Sequence, residues 1–259
     1  MNENLELLHD VMETLQDGEV VDVCIGLHWT AVVIDVGGQR HCGLASTLSG
    51  SHVHGVPDVP QAGQLQTVSG RELADQIFSE QPTMVSVGAA AVNALLPRYP
   101  ETWREINAED VITKHGREKT VALIGHFPFI DRLRSKVGQL SVLELDPQPG
   151  DLPVSAASEI LPKADVVAIT SMTLMNRTLD GLLKLCAPEA LVILLGPTTP
   201  LSPVLFDYGI DMLCGSVVTD IEQVLQTVRQ AGNFRQVHKA GVRLVSMNRS
   251  PSYLAEFSA

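Results

Sequence analysis

The chain is poor in basic residues, has no cysteine pair at metal-ligand spacing, and lacks both a long apolar run and a complete catalytic signature. Each absence removes a class of function. Lysine and arginine total 18 against 30 aspartates and glutamates, a formal net charge of -12 at pH 7. Affinity for DNA or RNA rests on cations that neutralise phosphates, so this balance argues against a nucleic-acid partner. The four cysteines, Cys24, Cys42, Cys186 and Cys214, show no C-x-x-C spacing. Three of them sit inside apolar runs, which suits small buried hydrophobes better than a disulfide framework. No apolar stretch approaches the ~20 residues of a membrane-spanning helix. The acidic start, Met1 to Glu6, lacks the basic and apolar regions of an export signal, so the expectation is a cytoplasmic protein without a membrane partner.

Catalytic signatures are missing as well. No Ser-His-Asp arrangement, P-loop or H-E-x-x-H pattern is visible, and the carboxylates are not paired in a diagnostic way. The dinucleotide fingerprint G-x-G-x-x-G keeps only its first glycine in Gly125-His126-Phe127-Pro128-Phe129-Ile130. Phe127 and Pro128 would obstruct close approach of a pyrophosphate, which argues against tight NAD or FAD binding.

What is present is a core. The 259 residues are 45% hydrophobic with a mean hydropathy of +0.15, and a chain of this size buries roughly 70–75% of its unfolded surface. The period of Leu5, Leu8, Val11, Met12 and Leu15 predicts an amphipathic helix. Strands follow at Val20–Ile25, Trp29–Val36 and near His41–Ala45, with Gly37-Gly38 as a hairpin turn. Ser46 to Val68 is polar and broken by Gly and Pro, hence a long loop. Ser69 with Glu72 has capping-box spacing and starts a helix over Arg71–Phe78, and a small-residue helix runs over Met84–Leu96. The polar stretch Arg98–Lys119 is read as the domain boundary.

Beyond it strands and helices alternate. Strands are predicted at Thr120–Gly125, Ser141–Leu145, Asp165–Thr170, Leu191–Leu195, Asp211–Cys214 and Val242–Met247. Helices are predicted over Phe129–Val137, Ser155–Leu161, Thr178–Cys186, Pro203–Tyr208 and Asp220–Gln230. Runs such as Val166-Val167-Ala168-Ile169 without polar alternation indicate parallel strands covered on both faces. The fold class is therefore α/β, with an N-terminal α+β domain (antiparallel meander and helices) over 1–105 and a Rossmann-like, mostly parallel domain over 106–259.

Three segments carry a family resemblance: Gly125-His126-Phe127-Pro128, Thr170 through Thr178, and Gly196-Pro197-Thr198-Thr199-Pro200. With Ile25-Gly26-Leu27-His28-Trp29-Thr30-Ala31 and Gly88-Ala89-Ala90-Ala91-Val92-Asn93-Ala94, the chain resembles, over nearly its whole length, the bacterial and archaeal family of putative heavy-metal chelation proteins. The resemblance implies an enolase N-terminal-like domain joined to a Rossmann-like domain, with the site in the cleft between them.

Ligands of open parallel sheets sit outside the carboxyl ends of the strands, so the loops there supply the candidate site. His126 would be a metal ligand or general base, or bond only to its own loop. Glu144 or Asp146 stands where a ribose hydroxyl would be held in a nucleotide-binding relative, or is an acid solvated at the strand end. Gly125, Thr170, Thr173, Asn176 and Thr178 offer backbone, hydroxyl and amide groups for a polar or anionic ligand, with Asn176 or Thr178 also able to cap the next helix. Gly196, Pro197, Thr198 and Thr199 form a rigid turn that either holds its threonines toward the same pocket or is a plain structural turn, and Asn93 would reach the pocket from the small-residue helix. His52, His54 and the His41-Cys42 pair form only a weak pattern for a transition metal ion.

Two readings follow. One is a protein that binds a small anion, a heavy metal or a metal complex in the interdomain cleft. The other is an enzyme acting in that cleft on a small substrate or nucleoside-containing cofactor, with His126 or Glu144 as acid or base. A homodimer is the default for such a chain.

Overall fold

The structure is a computed structural model that describes residues 5–50 and 55–249. Its leading half begins with α1 (Glu6–Glu13), whose Leu7, Leu8, Val11 and Met12 are buried as the period requires. Three antiparallel strands follow in the order β1 (Glu19–Ile25), β2 (Trp29–Val36) and β3 (Gln39–Ser46). The Gly37-Gly38 turn joins β2 to β3 in unbroken register from Val36↔Gln39 to Trp29↔Ser46. The resemblance segment around His28 is the turn between β1 and β2, closed by Gly26 N–H donating to the Trp29 carbonyl at 2.9 Å.

After the long loop, α2 (Gly70–Ala74) opens with the predicted Ser69/Glu72 capping box and tightens into a 3-10 turn over Asp75–Phe78. Next comes α3 (Pro82–Leu95), which is buried along nearly its whole length. Its Ala89, Ala90 and Ala91 allow the meander to lie directly on it. The approach is so close that a Cβ at Gly43 of β3 would overlap the Ala90 carbonyl, so only glycine fits there.

The polar stretch read as a boundary holds a helix of its own, α4 (Ala108–His115), started by the Asn107 side chain accepting from Glu109 N–H. Only Val111 and Ile112 of its apolar residues are buried, together with the Glu109 side chain, too short a stripe to stand out by period. The later half then runs β4 (Thr120–Ile124), α5 (Ile130–Arg134), β5 (Gln139–Glu144), the short edge strand β6 (Leu152–Pro153), α6 (Ala157–Ile160), β7 (Val166–Thr170), α7 (Met172–Met175), α8 (Leu179–Leu183), β8 (Leu191–Leu195), a 3-10 helix (Pro203–Tyr208), β9 (Met212–Val218), α9 (Ile221–Arg229), α10 (Phe234–Lys239) and β10 (Val242–Asn248). The sequence reading has no counterpart for β6, α7 or α10. The first two are a residue pair and a single turn, below the length at which periodicity speaks, and α10 carries an Asn233/Gln236 capping box.

The seven strands are ordered β10-β9-β8-β7-β4-β5-β6, parallel except for the β10 edge. Chain order reverses between β4 and β7, which are neighbours in register Val121↔Val166. Val166 to Ile169 and Val192 to Leu195 are buried throughout, as strands covered on both faces must be. The largest buried cluster draws residues from both halves, with Ala90, Leu95, Leu174 and Leu201 among its members.

Candidate functional site

The reversal of strand order leaves a crevice at the carboxyl ends of β4, β5 and β7. A cavity of about 460 Å³ lies there, lined by Gly125 and His126 after β4, Glu144 and Leu145 at the end of β5, and Thr170, Thr173, Asn176 and Thr178 after β7. Among the described residues, Leu48 is the one lining residue from the leading half.

Gly125 has φ +106, and a Cβ there would stand 2.9 Å from the Thr170 Cβ, so the tips of β4 and β7 can meet only with glycine at this point. The chain then turns inward with Phe127 and Phe129 stacked, ring centroids 5.3 Å apart, while His126 stays exposed at the rim. Its Nδ1 lies 3.1 Å from Asp151 Oδ2. Asp151 caps the turn Gln148-Pro149-Gly150-Asp151, where Asp151 N–H donates to the Gln148 carbonyl at 2.9 Å and Gly150 has φ +97. Its side chain is 1% exposed and also accepts from Gln148 N–H at 3.2 Å. A carboxylate only accepts, so Nδ1 carries the hydrogen and Nε2 is left for another partner. Sequence reasoning missed Asp151; the Pro-Gly turn signal next to it was the available clue.

The loop after β7 is tied down by its own polar groups. Thr173 Oγ1 donates to the Thr170 carbonyl at 2.7 Å, and Arg177, at φ 61, donates to the Phe78 and Ser79 carbonyls of the leading half. Asn176 Oδ1 accepts from the Thr178 hydroxyl at 2.6 Å and from its N–H at 3.2 Å, so the two act as one Asx turn at the start of α8. Glu144 Oε2 accepts from Leu145 N–H at 3.0 Å, and Leu145 itself is 69% exposed.

The structure gives the second predicted loop a different place. Gly196, Pro197, Thr198 and Thr199 do not line this cavity, and neither does Asn93. Thr198 and Thr199 are each 2% exposed. Thr198 Oγ1 accepts from Ser46 N–H at 3.0 Å, Pro197 accepts from Ser216 Oγ at 2.8 Å, and Asn93 Nδ2 donates to the Leu44 carbonyl at 3.1 Å and the Thr198 carbonyl at 3.0 Å. The meander and α3 pack onto this loop and, with Ser216 of β9, take up the Thr198 hydroxyl and the Pro197 and Thr198 carbonyls, leaving the Thr199 hydroxyl unpartnered among the described residues. It is a joint between the two sheets.

The described residues do not form a site for a bare metal ion. Among the described residues no group of three or more His, Cys, Asp or Glu stands close enough to hold one. His126 and Asp151 form a pair, and Cys42 and Cys214 are both pushed by burial up to about 12, which keeps them as thiols. His52 and His54 lie outside the described residues.

A parallel sheet with the doubly wound strand order, roofed at one end by a meander and its helix, defines the class of protein. The profile of family DUF364, described as "Putative heavy-metal chelation", matches residues 107–247, and that of DUF4213, with the same description, matches residues 8–96. The chain belongs to the DUF364 family. An uncharacterized protein of Methanocaldococcus jannaschii is 28% identical over 237 residues, 87% of this chain and 89% of its own length. The crystal structure of a DUF364 protein of unknown function from Desulfitobacterium hafniense superposes with a TM-score of 0.81 at 26% identity, covering 96% of this chain and 100% of that one. A second, from Pyrococcus horikoshii, gives 0.79 at 23% identity with the same coverage and shares the fold. No helix in the described residues is long and apolar enough to cross a membrane.

Proposed function

We propose that the crevice at the ends of β4, β5 and β7 binds a small polar ligand, either an anion or a heavy metal that arrives already complexed. The observation that carries this reading is the convergence of His126, Glu144, Thr170, Thr173, Asn176 and Thr178 on one cavity of about 460 Å³. Such a size suits a small molecule, and the lining mixes apolar walls with a few placed polar groups. The family description points toward metal; with no third protein ligand beside His126 and Asp151 among the described residues, the metal's remaining ligands would come from the small molecule. His126, oriented by Asp151, offers Nε2 to such a complex or a proton to an anion. Residues 1–105 and 106–259 act as two domains in this reading, supported by each sheet being built from one side of that boundary.

A second reading is favoured by strand order: the cavity occupies the crevice where doubly wound folds hold nucleotides, and Glu144 ends the strand whose tip accepts ribose hydroxyls. On it the protein is an enzyme using a nucleoside-containing cofactor, with His126 or Glu144 as acid or base. Thermal melts of purified protein with bare metals, metal–chelator complexes, small anions and nucleosides separate the two, together with bound-metal analysis by mass spectrometry. A ligand at 100 times its Kd adds about 2.7 kcal/mol. Stabilisation by complexes or anions, weakened by His126→Gln, supports the first reading, and stabilisation confined to adenosine-containing compounds supports the second. Stabilisation by a bare ion that survives His126→Gln overturns both.

A further inference from the structure

Where the loop after β8 is clamped, a second and much smaller cavity of about 20 Å³ is lined by Cys42, Asn93, Arg98, Trp103, Thr199 and Ser216, among others. That is room for a single water or a halide-sized ion. Asn93 has spent its amide hydrogens on Leu44 and Thr198, and Ser216 has spent its hydroxyl on Pro197. Three groups remain. Among the described residues Trp103 Nε1 and Thr199 Oγ1 are buried without a hydrogen-bond partner, and Thr199 is 2% exposed. Arg98, half-buried, has no hydrogen bond or ion pair to any described residue.

An indole N–H and a guanidinium can only donate, so whatever fills the cavity must accept. It must also answer a charge. Burial pulls the Arg98 guanidinium below its usual range, and among the described residues no carboxylate pairs with it. Its neighbour Cys42 is pushed up to about 12 by burial and is neutral at pH 7. His41 is lowered first by burial and then by Arg98, and is neutral too. A water molecule would satisfy donors but leave the cation uncompensated, whereas a monovalent anion does both.

We propose that this cavity binds one chloride-sized inorganic anion, held by Arg98, Trp103 and Thr199 at the joint between the meander and the seven-stranded sheet. The site is separate from the crevice of the preceding section and does not depend on that reading.

Chloride-35 NMR on the full-length protein tests it, alongside melts in sodium chloride and sodium gluconate at equal ionic strength. The expected results are saturable line broadening displaced by bromide, and a higher Tm in chloride than in gluconate. Trp103→Phe keeps an aromatic ring but removes the indole N–H, one donor to a charged partner, and should weaken chloride binding about tenfold. Arg98→Met should abolish the broadening. The proposal is overturned if wild type shows neither effect, meaning that the cavity holds water only, or if broadening persists unchanged in Trp103→Phe. Should Arg98→Met fail to fold, the Trp103→Phe titration and the bromide competition decide alone.

Discussion

The loops after β7 and β8 are chemically alike, each with Thr, a small residue at the strand tip and a short helical segment to follow, yet they meet opposite fates. The first, Thr170–Thr178, satisfies most of its needs internally and leaves one side open to a cavity of about 460 Å³. The second, Gly196–Pro200, is covered by β3 and α3 and gives up the Thr198 hydroxyl and the Pro197 and Thr198 carbonyls to Ser46, Ser216 and Asn93. Residue type alone therefore does not make a binding loop. What the other half of the chain lays over it decides whether hydroxyls face a ligand or a neighbouring backbone.

The sharpest way to break this contrast is to lift the cover. Gly43→Ala forces β3 away from the Ala90 carbonyl and should cost about 3 kcal/mol in urea unfolding, the upper range for overpacking. If the loss is under about 1 kcal/mol, the meander is not tightly seated on α3. Asn93→Ala comes next: it leaves the Leu44 and Thr198 carbonyls unpaired in a buried joint and should cost about 2 kcal/mol, while ligand affinity in the crevice stays the same. A large change in that affinity with little change in stability would place Asn93 in the binding site after all.

An acid series probes a region under neither loop. Arg132 hydrogen-bonds Glu109 in a bidentate pair, with Lys136 at 3.4 Å, and holds its carboxyl below the usual range. The stabilisation it brings is present above the unfolded value near 4.3 and is lost as pH falls through the lower folded value. Glu109→Gln should remove about 1 kcal/mol or less at neutral pH and flatten this part of the acid limb. An acid limb of unchanged slope would show that the pair contributes nothing. The smallest stability effect is expected at Asn176→Ala, where the Asx turn is exposed: under about 0.5 kcal/mol, but with affinity for the crevice ligand reduced several-fold. A stability loss as large as that of Asn93→Ala would erase the distinction between the two loops.

Much of the fold was legible because its signals are local. The Ser69/Glu72 box, the Gly37-Gly38 turn and the unbroken apolar runs at Val166–Ile169 and Val192–Leu195 each report on a few adjacent residues, and each is found as read. Helix α4 was hidden because its buried stripe is two aliphatic residues beside a carboxylate. In the site, the grouping of His126, Glu144, Thr170, Thr173, Asn176 and Thr178 followed from placing strand ends together. Asp151 did not, since its pairing with His126 depends on how a Pro-Gly turn folds back across the rim.

The pattern of apolar runs and turn residues by itself determined the two kinds of sheet, since hydrogen-bonded backbone must be covered on whichever faces carry aliphatic side chains. Only the tertiary structure decided which strand-end loop stayed open. That choice depends on contacts between residues far apart in the chain, such as Asn93 with Thr198 and Ser46 with Thr198, whose geometry no local spacing encodes.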